Sequence, residues 1–366
     1  MANTAEQRKA LMQQCRVLLP GFPKRTPAQE FELMAQWCER NAVDTDAYGK
    51  GTALAAFEKK IAGLLGKQAA VFMPSGKMAQ LISMKIWTER AALPRFAMHP
   101  TSHLELHEAR SYASLLHLQG VLAGDWNRPL NAADLEAVVE PLAALIVELP
   151  IREAGGQLPA WDTLTALQES ARQRNVRLHL DGARLWECGP FYGRPYAEIA
   201  AGFDSVYVSV YKVIGGLSGA VLAGDADFIA QARLWQRRFG GELPQISPFL
   251  AAAALHFDER MARMDDYYRR AVSLAAALRR VPGLRVNPGV PQTPMMHLFF
   301  DANAEAMAIA RDAIAETESC WVAGGFRDSA VPGWCSTELV VGDHLLALSD
   351  ETVVPYFEKL MQRARR

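Results

Sequence analysis

The chain has 366 residues, of which 50% are hydrophobic and 22% are charged, so it can bury a sizeable core and is not predicted to be disordered. This length favours a large domain accompanied by a smaller one. The formal net charge of −1 provides no field that would attract a polyanion, which argues against a nucleic-acid or membrane-surface partner.

The first 45 residues are helix-like and interrupted by prolines, which predicts an N-terminal helical arm over residues 1–45. From Tyr48 the pattern changes to a helix, a strand over Ala69–Met73, a tight turn, and a second helix through Trp87. This order of strand, turn and helix is the repeating unit of an α/β sheet.

Further short apolar runs predict strands, with helical segments between the earlier ones, at Leu145–Leu149, Val176–Leu180, Ser205–Val210 and Ala220–Ala223. Such alternation indicates an α/β domain with a mostly parallel central sheet, which we assign to residues 46–250. Residues 251–366 predict a linking helix and a small C-terminal α+β domain. Its predicted elements are a strand at Met295–Phe300, a helix at Ala304–Glu316, a weak strand at Glu338–Val341, and a last helix capped by Ser349.

The five cysteines lack the close paired spacing that zinc or redox sites use, and we interpret them as reduced thiols: Cys15, Cys38, Cys188, Cys320 and Cys335. The N-terminal segment has no apolar core of the signal-peptide type, and no run of about 18 apolar residues occurs in the sequence. We therefore expect a cytoplasmic protein.

Polar residues follow three predicted strands, at the edge where an open α/β sheet binds its ligands. The segment Ser75-Gly76-Lys77 follows the first strand and opens a helix, Asp181 follows Val176–Leu180, and Lys212 follows Ser205–Val210. Each position has two interpretations. A lysine there can lose its proton and form a Schiff base, or it can be a surface lysine.

Asp181 and the turn at 74–77 also have two interpretations each when they are taken alone. Asp181 can keep a pyridine nitrogen protonated, as pyridoxal phosphate (PLP) chemistry requires, or it can form an Asx turn before Gly182. The turn at 74–77 suits a phosphate, although many helices begin this way. The spacing makes the set informative, because the interval between Asp181 and Lys212 leaves room for a helix and one strand.

The order of several segments from about 48 to 255 resembles the threonine aldolase and β-eliminating lyase group of PLP enzymes. These segments are YGKG at 48–51, GKQAAVFMPSGKMAQ at 66–80, SH at 102–103, HLDGARLWE at 179–187, the Lys212 strand end, and FGGELPQ at 239–245. The DGAR segment with its downstream lysine is the specific part. The resemblance implies the PLP-dependent aminotransferase-like fold, with PLP as the cofactor.

The resemblance also implies a role for each matching residue. Lys212 would hold PLP as a Schiff base, Asp181 would face the pyridine nitrogen, and His103 would stack on the ring. Arg184 would help to hold the substrate carboxylate or the cofactor, and Tyr48 would reach into the site of a neighbouring subunit. The implied phosphate contacts are Ser75, Gly76, Lys77 and Ser209, with Lys77 in place of the family's threonine.

The chain departs from the family's pattern in three places. Its N-terminal arm is unrelated to the family's Ser-Asp-Thr segment. Ile151 replaces a histidine assigned to proton transfer, which leaves His103, Glu153 or a water as candidates. The family's carboxylate-binding arginine of the C-terminal domain corresponds to a position near Glu338 in this chain. Arg327 or Arg152 could take over its role.

The predicted function is a PLP-dependent lyase that cleaves a β-hydroxy amino acid into glycine and an aldehyde. The alternatives are β-elimination, racemisation or transamination with PLP, or a non-catalytic PLP-binding protein. The resemblance implies a homodimer or homotetramer.

Other classes of protein fit the sequence less well. His99, His103 and His107 recur at every fourth residue, as metal ligands on a helix do, but Pro100 argues against a continuous helix there, and we predict no metal. Nicotinamide oxidoreductases and serine hydrolases carry Gly-x-Gly-x-x-Gly and Gly-x-Ser-x-Gly motifs that are absent from this sequence.

Overall fold

The structure is a computed structural model that describes residues 3–365. The described chain forms two compact units. The larger unit comprises Arg25–Ile151 and Leu158–Ala262, and the smaller comprises the residues up to Lys24, Arg152–Gln157, and the residues from Arg263 onward. The three-part division predicted from the sequence, with boundaries near 46 and 251, stays a prediction.

Strands β1 to β13 of the described chain are, in order, Val17–Leu18, Ala69–Met73, Arg95–Met98, Gln119–Leu122, Ala144–Glu148, Arg177–Gly182, Ser205–Ser209, Ala220–Gly224, Leu284–Asn287, Met295–Phe300, Cys320–Trp321, Arg327–Asp328 and Cys335–Val340. Helices α1 to α16 are Ala5–Gln14, Pro27–Arg40, Thr52–Leu64, Gly76–Ala91, His103–Leu106, Ser111–Leu116, Ala132–Glu136, Trp161–Gln173, Gly189–Tyr192, Tyr196–Ala200, Ala226–Arg238, Ser247–Ala262, Met264–Leu278, Ala304–Glu318, Asp343–Leu346 and Asp350–Ala364. A 3-10 helix spans Leu185–Glu187. Among these residues, the helices do not combine the length and apolarity that crossing a membrane requires.

The larger unit is built on a seven-stranded sheet with the order β2-β8-β7-β6-β5-β3-β4. Strand β8 is antiparallel to both of its neighbours, and the other adjacent pairs are parallel. Strand β2 therefore runs in the same direction as β7. The central strands are continuous apolar runs because helices cover both faces of such a sheet. The predicted α/β class with a mostly parallel sheet is confirmed.

The strand boundaries show where the sequence pattern was sufficient. Ala69–Met73 is observed as predicted. The predicted strand Val176–Leu180 is observed as Arg177–Gly182, so the expectation that Asp181 follows this strand is wrong and Asp181 lies inside β6. Strands β3 and β4 were not predicted, since each has only four residues and β4 is a partly exposed edge strand.

The smaller unit contains a four-stranded antiparallel sheet with the order β12-β13-β10-β9. Strand β10, Met295–Phe300, has the predicted bounds. Strand β13 begins earlier than the predicted Glu338–Val341, because its buried residues alternate with partly exposed ones and give a weak apolar signal. Helix α16 begins after Ser349, as predicted. The core of this unit includes Leu274, Leu278, Leu298, Phe300, Ile314, Phe357 and Leu360.

Candidate active site

The carboxyl ends of the parallel strands lie at one edge of the large sheet, and most of the predicted site residues lie there. Glu148 ends β5 and is in register with Asp181 of β6, which in turn lies opposite Tyr207 of β7. Lys212 follows shortly after the end of β7. This edge is where open α/β sheets bind their ligands.

Lys212 lies in an environment that favours its neutral amine. Burial lowers the pKa of Lys212, and the nearby Arg184 cation lowers it further. Three carboxylates oppose this shift, those of Asp181, Glu148 and Glu187. Because the net direction is downward, a larger fraction of Lys212 is unprotonated, and therefore nucleophilic, than for a lysine in water. The interpretation as a plain surface lysine does not fit this environment.

Asp181 is 2% exposed, and a hydrogen-bond donor contacts each of its two carboxylate oxygens. The pKa of the Asp181 carboxyl is raised, because burial outweighs the opposing effects of Lys212, the Ala183 amide and His103. The Ala183 amide donates to Oδ1 at 3.1 Å, so an Asx-type contact is present as well. Gln80 Nε2 hydrogen-bonds the other oxygen, Oδ2. A buried carboxylate held in this way suits a cationic ring nitrogen.

His103 pairs with a carboxylate that the sequence reasoning did not identify. Its Nδ1 lies 2.8 Å from Oε1 of Glu108, whose side chain is 2% exposed, whereas the His103 side chain is 34% exposed. Because Nδ1 is bound to a carboxylate, Nε2 would be the nitrogen that exchanges a proton. The pair therefore resembles the oriented base that general acid–base catalysis uses.

The alternative of a metal site at His99, His103 and His107 finds no support in the described residues. Helix α5 begins at His103 and has only four residues, so the three histidines do not share a helix face. Both ring nitrogens of His99 bond to neighbouring groups, Nδ1 to Thr101 Oγ1 at 2.7 Å and Nε2 to the Asp125 carbonyl at 2.7 Å. No group of three or more metal-ligating side chains occurs among residues 3–365.

The turn after β2 opens helix α4 with the geometry expected of a phosphate-binding turn. Ser75 is the N-cap, and its Oγ accepts a hydrogen bond from the Met78 amide at 3.3 Å. A side chain on Gly76 would overlap the Tyr207 ring and hydroxyl, so only glycine fits there. The free amides and the positive dipole end of a 16-residue helix suit an anion. Lys77 follows in the first turn of this helix.

Arg184 and Ser209 also lie at this edge. Arg184 Nη1 is 3.2 Å from Glu187 Oε1, and its cation acts on Lys212. Ser209 is the last residue of β7, and its Oγ accepts from the Tyr211 amide at 3.3 Å. The family resemblance had implied roles for both residues, and the structure brings them to the same strand ends as Lys212.

Tyr48 stands apart from this group. Its side chain is exposed, and its amide donates to the Pro244 carbonyl at 3.0 Å. It lines a cavity of about 470 Å³ beside α11, together with Arg233 and Arg237. None of its described contacts involves Lys212 or Asp181.

At the positions where this chain departs from the family's pattern, the residues are buried or form ion pairs. Ile151, in place of the histidine, is 2% exposed. Within the smaller unit, Arg152 Nε lies 2.7 Å from Glu338 Oε2, and Arg327 Nη1 lies 3.7 Å from Glu153 Oε2. The two arginines considered for a carboxylate therefore each have an acidic partner within the chain.

Three comparisons place these features among known proteins. The beta-eliminating lyase family model matches residues 27–301. An Arabidopsis thaliana protein, provisionally assigned as low-specificity L-threonine aldolase 2, is 30% identical over 284 residues, which cover 75% of this chain and 79% of the relative.

Solved structures extend this likeness to the fold. A Listeria monocytogenes crystal structure, provisionally assigned as an L-allo-threonine aldolase, has a TM-score of 0.91 at 36% identity and covers 97% of this chain and 98% of that one. A serine palmitoyltransferase variant from S. paucimobilis with a bound PLP–myriocin aldimine has a TM-score of 0.71 at 17% identity and covers 95% and 88%. The second likeness concerns the fold alone.

Proposed function

The chain belongs to the beta-eliminating lyase family, and from this membership we propose that it is a PLP-dependent lyase. It would cleave a β-hydroxy amino acid, such as threonine, to glycine and an aldehyde. The observation that carries the proposal is a partly buried lysine of lowered pKa that interacts electrostatically with a buried aspartate at the ligand-binding edge of the sheet. The threonine aldolase relatives support the choice of reaction.

The residues of the site fit PLP. Lys212 would hold the cofactor as a Schiff base, Asp181 would face its ring nitrogen, and His103 would cover a ring face. The turn at Gly76 places the first amides of α4 at the strand ends, where they would bind a phosphate, and Ser75, Lys77 and Ser209 would add contacts. When bound, PLP supplies an electron sink for the bond that breaks.

The remaining steps belong to side chains of this protein. Arg184 would bind and orient the substrate carboxylate. This orientation would determine which substrate bond is aligned with the π system of the PLP ring and therefore breaks. Lys212 Nζ would carry a proton to or from the substrate carbon. The β-hydroxyl proton would pass to His103 Nε2, since Glu108 binds Nδ1 at 2.8 Å. Glu153, the competing candidate, is engaged by Arg152 at 3.3 Å.

We further propose a homodimer or homotetramer in the cytoplasm. The exposed Tyr48 would reach the neighbouring subunit, and the absence of disulfides among the described cysteines fits a reducing compartment. Light scattering tests the assembly, since a fully active monomer would contradict it.

The deciding experiment compares the wild type with Lys212→Ala and the exposed-lysine control Lys59→Ala. We expect an absorbance band near roughly 420 nm with PLP that Lys212→Ala loses and Lys59→Ala keeps. Addition of L-threonine or L-allo-threonine to the wild type should release glycine and acetaldehyde. A Lys212-dependent band without aldehyde would favour β-elimination, racemisation or transamination, which product analysis separates. No band at any PLP concentration would refute the proposal.

A further inference from the structure

A line of buried polar groups leads from the carboxylate of Asp181 into the core of the larger unit. Gln80 Nε2 bonds Asp181 Oδ2, and Gln80 Oε1 lies 2.8 Å from His179 Nε2. His179 Nδ1 lies 2.8 Å from Ser205 Oγ, which also accepts from Trp87 Nε1 at 2.8 Å. All five side chains are at most 3% exposed. Polar groups buried this deeply persist only when they are hydrogen-bonded, so the line is a built feature.

The chemistry of the end groups fixes the direction of these bonds. An ionised carboxylate only accepts, so the amide nitrogen of Gln80 must face Asp181 and its oxygen must face His179. His179 then carries its proton on Nε2 and accepts at Nδ1. The indole of Trp87 can only donate, so the Ser205 oxygen receives that bond and its own proton is free for His179 Nδ1.

The opposite direction leaves a donor without an acceptor. If Oδ2 of Asp181 carried a proton, it would donate to Gln80, so Gln80 would turn over and His179 would carry its proton on Nδ1. Ser205 Oγ would then accept from both Trp87 and His179, and its own hydroxyl proton would have no partner among the described hydrogen bonds. Only the first direction therefore satisfies every group along the line.

We propose that Gln80 and His179 are positioning residues that hold Asp181 as an anion. They do so through a line of hydrogen bonds that begins at Trp87 and in which each group donates to the next one toward Asp181. The part of this inference that concerns PLP rests on the proposed function. With the cofactor bound, the anion would keep the ring nitrogen protonated. The direction of the hydrogen bonds is a property of the protein alone.

The surroundings of His179 agree with a fixed neutral ring. Burial lowers the pKa of His179 to about 3, although the Ser205 backbone opposes the shift. A permanently neutral imidazole places no additional charge near Asp181, so it acts on Asp181 only through the direction of its hydrogen bonds. Burial raises the pKa of Asp181, and the hydrogen bonds that Gln80 and Ala183 donate to its carboxylate oppose this shift by stabilising the anion.

The first test needs no cofactor. Long-range ¹H–¹⁵N spectra of the histidine-labelled, cofactor-free protein report which nitrogen of His179 carries the proton, and the signal is assigned by its loss in His179→Gln. We expect the proton on Nε2. A proton on Nδ1 would reverse the direction and overturn the proposal.

The second test measures the effect on the cofactor. In Gln80→Met, which has nearly the same volume but no donor, we expect the PLP dissociation constant to rise about tenfold, since the variant removes a bond to a charged group. The ¹⁵N signal of labelled PLP should also move toward that of an unprotonated pyridine nitrogen. The matched control is Ser83→Ala on the same helix, whose buried hydroxyl bonds the Ala79 carbonyl at 2.7 Å and lies outside the line.

The outcomes separate this inference from the proposed function. If Gln80→Met and Ser83→Ala behave alike, the positioning role is refuted. If Gln80→Met does not fold, Ser205→Ala takes its place, with a smaller rise of about threefold expected and no difference from the control as the contrary result. If the wild type binds no PLP, the proposed function fails, and the His179 proton still decides the direction.

Discussion

Gly76 faces Tyr207 so closely that a methyl group has no space at the start of α4. In Gly76→Ala the new Cβ would overlap the hydroxyl and ring of Tyr207, which is 3% exposed on β7. Neither side can move freely, because the interior is close-packed. Overpacking of this kind costs about 1–3 kcal/mol. For a folding unit of this size that corresponds to a melting temperature about 2–12 °C lower.

The assay is thermal unfolding followed by circular dichroism, together with the PLP dissociation constant from absorbance. We expect Gly76→Ala to melt lower and to bind PLP about tenfold more weakly, since the shifted turn carries the amides that we propose bind the PLP phosphate. Gly63→Ala is the control, because no atom lies within 4 Å of its Cβ position in α3 and it should gain about 0.5–1 kcal/mol. Adding Tyr207→Ala should relieve the overlap in part. A Gly76→Ala protein with wild-type melting and PLP affinity would refute the steric argument.

Three further predictions concern charge and proton transfer. Arg184→Met should move the pH profile of PLP attachment upward, because the Arg184 cation lowers the pKa of Lys212; stopped-flow absorbance measures this. Arg233→Met should cost about 1–3 kcal/mol in urea unfolding, since it leaves the buried Glu58 carboxylate without its cation. Burial raises the pKa of Glu58, so this cost should be full at neutral pH and should shrink as acid protonates the carboxyl. His103→Ala should slow aldehyde release about 10²–10⁴-fold in kcat with less change in KM.

The sequence predicted the framework of the site because local patterns determine it. Continuous apolar runs located β2 and β7, and the residues that follow such strands meet at one edge of a parallel sheet. This placed Lys212 and the turn at Gly76 correctly, and it placed Asp181 at the right edge, although β6 runs beyond it.

The partners of these residues could not be predicted in the same way. Gln80 and His179 meet through contacts between distant parts of the chain, and no local pattern marks such a pair. One signal was present for Gln80, which lies one helical turn after Gly76 and hence on the same side of α4. Glu108 follows His103 across a helix end, where spacing carries no fixed geometry.

In the proposed function, the two histidines near Asp181 would have different roles. His179 is fully buried and neutral, with a pKa lowered to about 3, so it cannot deliver a proton to Asp181 at neutral pH. His103 is partly exposed and is oriented by Glu108, so in the proposed function its Nε2 would exchange protons with substrate and solvent. Asp181 would then act only through its charge, and the protons that move during catalysis would be carried by His103 and Lys212. Substitutions behind Asp181 should therefore alter cofactor binding and its protonation, whereas substitutions around His103 should alter turnover.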